Sequence, residues 1–328
     1  MATTPVATTR LPAKAEPQPP ALVAVLRGAL ENAEQRALLA GALVSLALLG
    51  LIFFSNLMHF VFIWTTDENY SHGFLVPLIS LYFANQAAQR GSVAVRSGVK
   101  LGILLMTISM LGRCATVLVP VGFVGDLSFL LGLAGICSLL FGADALRRYW
   151  FAIFFLIFMV PLPVALYAKI ASPLQLMVSQ IASILMNATG VPVLCEGNMM
   201  TLPGNVQMFV AEACSGMRQL TGFLALTAAV AYLSARPAWY RVAVVGSAIP
   251  IAMTANVARV VLTGYIMHYL NPQFASGAYH TLEGLLMMAF GLSLLRAECW
   301  MLDQLSLVFP SSPPEPDAQP RPELPAPA

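Results

Sequence analysis

Apolar residues in this chain come in long runs, separated by short polar stretches. One bilayer-crossing helix needs roughly 20 of them in succession. By that measure the pattern predicts eight spans, at about 37–63, 73–89, 98–117, 121–141, 150–168, 217–234, 241–268 and 283–302. The second is the weakest, because Asn85 and Gln86 close it early. The long stretch between the fifth and sixth spans reads differently. In "IASPLQLMVSQIASILMNATG" the apolar residues recur at helical spacing, with Ser and Gln on one side, which predicts an interfacial or re-entrant helix. In "VPVLCEGNMMTLPGNVQMFVAEA" short alternations, β-branched residues and Gly, Pro and Asn punctuation predict a small hairpin. The expected fold class is an all-α polytopic membrane protein of about eight transmembrane helices, with a small outer-face hairpin before the sixth.

Composition supports the membrane reading. Of 328 residues, 58% are hydrophobic and only 10% charged, against about 25% charged in soluble domains. The net charge of +2 gives no basis for a nucleic-acid partner. Both ends differ from the middle. The head holds five prolines among Ala and Thr, and the tail "PSSPPEPDAQPRPELPAPA" is polar and proline-rich. Neither offers enough apolar surface to offset the entropy of ordering it. The predicted organisation is a disordered cytoplasmic head (1–36), a transmembrane domain (37–302) and a disordered tail (303–328). The head lacks the short apolar core and small-residue cleavage site of a removed signal peptide.

Lys and Arg favour the cytoplasmic side. The head carries Arg10, Lys14, Arg27 and Arg36, whereas the next loop, "TTDENYSH", carries none. Arg90, Arg96 and Lys100 follow the second span, Arg147 and Arg148 the fourth, and Arg236 and Arg241 the sixth. The alternation predicts cytoplasmic termini and an outward-facing region around Cys214.

Charges inside spans are costly and tend to mark function. Arg259, in "MTANVARVVLTGYIMHYL", falls in the outer half of the seventh span. Asn256 shares its helical face, and Pro250 is expected to kink the helix below them. The topology brings all four histidines, His59, His72, His268 and His280, to the outer side, with Cys214, Glu212, Arg218 and Glu283. A thiolate is a good nucleophile, and a nearby guanidinium or helix N-terminus favours it over the thiol. A histidine can move protons between thiol, leaving amine and incoming nucleophile. An arginine can instead hold the oxyanion of a tetrahedral intermediate. The set suits acyl transfer or peptide cleavage; spacing alone does not choose the histidine. These residues call for no metal and no cofactor.

Three motifs resemble the exosortase family, related to the archaeosortases, over roughly Leu51 to Leu302. They are "YSHGFLVP", "VAEACSGMR", and "NVARV" followed by "YHTLEG". The resemblance implies a membrane-embedded cysteine protease or transpeptidase of a bacterial inner membrane. It would act on proteins with a C-terminal Pro-Glu-Pro-like motif, a transmembrane helix and a short basic tail, in bacteria that export polysaccharide. Carried over, the nucleophile is Cys214, the arginine Arg259 and the histidine His280. Glu212, Arg218, Asn256, His72 and Glu283 stand as supporting or substrate-binding residues. A substrate helix would have to reach the site from the lipid, so a lateral opening is expected.

Other readings compete. A Cys195–Cys214 disulfide would make the motif a staple, though it would not require the arginine and histidine. Arg259 would serve structure alone if it paired with Glu212 or Glu283. Glu212 and Arg218 would hold the Cys214 turn as a pair, or grip substrate. A transporter with Arg259 on an anion path predicts charge spread through the membrane depth, whereas here it clusters at one face. A metalloprotease is disfavoured by the lack of an HExxH helix. A polysaccharide-export component lacks an acidic pair in an outer loop.

Overall fold

The computed structural model describes residues 28, 30, 32–90, 98–119, 122–210, 217–270 and 278–308, with side chains of 278–281 and 306–308 excepted. The predicted disordered head and tail lie mostly outside these residues. The chain divides into two compact units, 1–57 with 77–157 and 58–76 with 158–328.

The helices of the first unit are α1 (Ala33–Ile52), the start of α2 (Phe54–Thr66), most of α3 (Leu75–Ala88), α4 (Val99–Leu118), α5 (Gly122–Phe141) and α6 (Ala143–Phe155). Asn32 caps α1, its side chain accepting from the Glu34 N–H at 3.1 Å. The predicted first span, 37–63, is interrupted at Phe53, between α1 and α2. Helices α4 and α5 pack closely because their contact carries glycines. A Cβ at Gly102 would stand 2.7 Å from the Leu139 backbone nitrogen, and one at Gly112 would stand 2.1 Å from Ser128 Oγ. Small residues permit such backbone approach where lipid, being apolar itself, gives little drive for association. Leu49, Phe53 and Ile136 fill the centre, flanked by Met106 and Phe129.

The second unit holds the rest. A 3₁₀ helix, Glu68–Phe74, follows α2; a second, Leu156–Met159, begins in the first unit and leads into the second. Then come α7 (Val164–Ala188), strands β1 (Leu194–Glu196), β2 (Met199–Leu202) and β3 (Val206–Phe209), and helices α8 (Met217–Leu233), α9 (Ala238–Gly246), α10 (Ala248–Tyr269) and α11 (Ala278–Val308). The strands form an antiparallel meander in order β1-β2-β3, three strands where the pattern suggested a two-stranded hairpin. Gly197, with φ +67°, makes the tight turn between β1 and β2. The sheet's apolar face, Met200, Leu202 and Met208, packs on Val178, Ala182 and Met186 of α7 and Val257 and Val260 of α10.

Six helices among the described residues are long and apolar enough to cross a membrane: Ala33–Ile52, Val99–Leu118, Gly122–Phe141, Val164–Ala188, Ala238–Tyr269 and Leu282–Leu305. Two expectations change. The predicted fifth span, 150–168, is no single helix, because the Pro161-Leu-Pro163 segment separates α6 and its 3₁₀ extension from α7. Proline removes a helix-forming N–H and restricts the residue before it. The segment expected at the interface is the 25-residue helix α7, with Pro173 inside it, and it is long and apolar enough to cross a membrane. The seventh span breaks between α9 and α10 at Ser247, three residues before Pro250. Helix α11 also runs six residues past the predicted boundary at 302. Large apolar side chains stay exposed along the helices, Leu51 and Leu118 among them, as lipid-facing positions require.

Candidate functional site

The "YSHGF" stretch forms the 3₁₀ helix after α2, and its side chains tie neighbouring segments together. Asp67 caps it, accepting from the Asn69 N–H at 2.9 Å. The Tyr70 hydroxyl accepts from the Leu162 N–H at 3.0 Å. The Trp64 indole donates to the Met159 carbonyl at 3.0 Å and lies where a Cβ on Gly73 would collide with it. His72 Nε2 stands 3.2 Å from the Phe158 carbonyl, so it donates and carries the proton. Burial pushes the His72 pKa down, with the Phe158 and Asn69 carbonyls pulling the other way. Burial also raises the Tyr70 pKa, partly offset by the Leu162 N–H. His72 therefore sits as a neutral brace against the 158–162 segment.

The same 3₁₀ helix supplies Glu68, which pairs with Arg218 in the first turn of α8. The sequence reading offered Glu212 or substrate to Arg218 and missed Glu68. Only a charge of opposite sign in a distant loop could have signalled it. The pair braces the N-terminal end of α8, just after the cysteine motif. Cys214 and Glu212 lie outside the described residues. So does the His280 side chain; its backbone is in the first turn of α11.

Arg259, Asn256 and Glu283 are all buried, at 6%, 3% and 5% exposure. The Thr263 hydroxyl joins two of them. It stands 2.9 Å from the Arg259 carbonyl and also hydrogen-bonds a Glu283 carboxylate oxygen. The fully buried Thr263 therefore ties Glu283 of α11 to the main chain at Arg259 of α10, a polar patch of three buried residues. Thr263 was not predicted, although its place one turn after Arg259 on the same face was a legible signal.

Gln219 of α8 was missed as well. It is 4% exposed, and neither its amide oxygen nor its nitrogen has a hydrogen-bond partner. Asn256 Oδ1 is likewise buried without one. Leaving such a group unpaired costs roughly 1–3 kcal/mol.

Cys195 carries no disulfide, which removes the Cys195–Cys214 staple. Its thiol lies 3.4 Å from the Gly197 carbonyl, and burial raises its pKa, so it is a poor nucleophile at neutral pH. Among the described residues no three His, Cys, Asp or Glu side chains converge as metal ligands would. His268 lies edge-on to Tyr269, ring centres 4.6 Å apart, near the end of α10. A groove of about 480 Å³ runs along Ile251, Thr254, Leu294 and Met301, with Ser247 and Glu298 as its main polar features. It lies toward the N-terminal end of α10, away from Arg259, and gathers one ionisable group rather than a set.

Compared with known families, residues 64–297 match the family model described as transmembrane exosortase. Neither the curated proteins nor the solved structures give a match. The matched stretch contains Cys214, Arg259 and His280.

Proposed function

This chain belongs to the transmembrane exosortase family, and from that premise we propose that it is a membrane-embedded cysteine transpeptidase or protease acting on C-terminal sorting signals. The observation that carries the reading is the family match across a stretch holding all three residues that the chemistry needs. The buried polar patch of Arg259, Thr263 and Glu283 supports it. So does the absence of a disulfide at Cys195.

In the proposed mechanism Cys214, as thiolate, attacks the carbonyl carbon of the scissile peptide bond. A C–S bond forms, and the carbonyl oxygen becomes an oxyanion. Arg259 stabilises this charge or that of the thiolate before it; either role needs a fixed cation in a dry site. The C–N bond breaks as protonated His280 gives its proton to the leaving amine. The resulting thioester is attacked by water or by an amine on an acceptor. His280 takes the proton released, and the thiolate departs. The substrates are proteins with a Pro-Glu-Pro-like motif, a transmembrane helix and a basic tail. Cleavage occurs at the outer face of the bacterial inner membrane, with both termini of the enzyme in the cytoplasm. The substrate helix enters laterally from the lipid.

Co-expression with a tagged Pro-Glu-Pro substrate tests this. Wild type and Cys195→Ala are expected to shorten the substrate, whereas Cys214→Ala leaves it intact at equal membrane abundance. Processing by Cys214→Ala would sink the nucleophile assignment.

A further inference from the structure

Helices α8 and α9–α10 form a hairpin, joined by residues 234–237. Its register can be followed through buried residues. Phe223 packs with Ala248, Ile251 and Ala252 in one apolar cluster. It also presses on α11, where a Cβ added at Gly291 would meet the Phe223 ring at 2.1 Å. One turn toward the start of α8 is one turn toward the end of α10. That step brings Gln219 level with Asn256. Another turn along α10 reaches Arg259, and the next reaches Thr263 with its bond to Glu283.

Two carboxamides thus lie level across a helix hairpin, beside the charged patch. Both are more than nine-tenths buried, and both keep polar atoms unpartnered. Most buried polar groups find partners, because an unmade bond is costly; among the described residues Gln219 is the one whose buried carboxamide lacks a partner at both its oxygen and its nitrogen. A cavity of about 20 Å³ adjoins Asn256, between Gln175, Leu220 and Met253. It has room for one water-sized group, such as a peptide N–H, from which the unpartnered Asn256 Oδ1 would accept, and none for a side chain.

We propose that Gln219, with Asn256, forms a subsite for the substrate's main chain, engaging a single peptide group of a stretch that is unwound next to the scissile bond. This rests on the peptide-cleaving reading given above. A transmembrane helix satisfies its own N–H and C=O groups, and its peptide bonds are shielded from attack. Cutting one requires local unwinding, which strips those groups of their partners in a medium that offers none. A carboxamide presents one acceptor and a donor, the complement of an extended peptide unit. The pair therefore recognises backbone rather than sequence. It compensates for unwinding only once substrate is bound. Gln219 is a positioning residue here; the bond-making groups are those named above.

The test uses the full chain with Gln219→Met, which conserves volume and removes the orphaned polar atoms, and Gln219→Asn, which keeps a carboxamide. Three quantities are measured: the melting temperature of the purified protein, processing of the tagged substrate, and capture of that substrate by the Cys214→Ser form through photocrosslinking. The expected result is that Gln219→Met melts no lower than wild type, yet processes and captures substrate at least tenfold less. Gln219→Asn is expected to recover part of both. If Gln219→Met melts lower and activity falls only in step with folded protein, Gln219 is structural and the inference is overturned. Unchanged processing and capture overturn it equally. If wild type itself processes and captures no such substrate, the functional reading fails and takes this inference with it. A silent Gln219→Met on an active wild type sinks the inference alone.

Discussion

In the first unit, buried hydroxyls find a carbonyl close by. Ser109 donates to Ser128 O at 2.7 Å, Ser80 to Ala152 O at 2.6 Å and Ser138 to Gly98 O at 3.1 Å. Asn56 donates to Asp126 at 2.7 Å, and only its own Oδ1 goes without a partner. The second unit buries Gln219, Asn256, Arg259, Thr263 and Glu283 within three helices, and two of its carboxamides stay incomplete. Both units solve the same problem of polar groups in an apolar setting. The first closes its hydrogen bonds locally and uses them to fasten helices. The second concentrates polarity on one stretch of α10 and leaves Asn256 Oδ1 there, and the Gln219 carboxamide of α8, without partners. Polarity in a membrane protein thus separates into fastening and chemistry by whether its bonds are already made.

The sharpest way to break this contrast is Arg259→Met. Loss of one stabiliser of developing charge costs on the order of 10²–10³ in rate. Processing is expected to fall by about that much, with membrane abundance near wild type. Equal loss of abundance would move Arg259 to the fastening class. Next is Gly102→Val in the first unit. Its Cβ would collide with the Leu139 backbone, and overpacking of this kind costs roughly 1–3 kcal/mol. Thermal stability should drop while processing per folded molecule stays constant. A change in specific activity would show that the first unit is not merely a scaffold. The smallest effect concerns His72. Its folded pKa lies below the ordinary 6.5, so the unfolded chain binds the proton more readily. The stability this contributes is fully present above about pH 6.5 and is lost as pH falls from there through the folded pKa. Melting curves should show that loss in wild type and a shallower one in His72→Gln. An identical slope in both would remove the brace role.

Much of this was legible in the sequence. Arg259, Asn256 and Glu283 stood out because charge and amide inside apolar runs have few reasons to be there. Segments 98–117, 121–141 and 217–234 coincide within a residue or two with helices, since nothing but run length was needed to see them. Helix α7 was legible from its apolar spacing, but Ser and Gln on one side do not reveal that Ser179 and Ser183 are buried. The break at Pro161–Pro163 was hidden by continuous hydrophobicity, whereas the one at Ser247 falls three residues before Pro250, where a kink was expected. Glu68 and Gln219 escaped for a different reason. Each takes its meaning from a residue at least a full helix away or from register across a hairpin, and neither is written in local pattern.

The apolar face of the β-meander draws on Val257 and Val260, which follow β3 by about fifty residues. A chain made from its N-terminus therefore completes the sheet against α7 before α10 can bury the rest of it. The cysteine motif, lying directly after β3, is synthesised ahead of the helix that seals its support. Order of synthesis thus delays assembly of the motif's surroundings until α10 has emerged. A nascent or truncated chain carries Cys214 without Arg259; under the proposed mechanism, completion of the fold then guards against premature cutting.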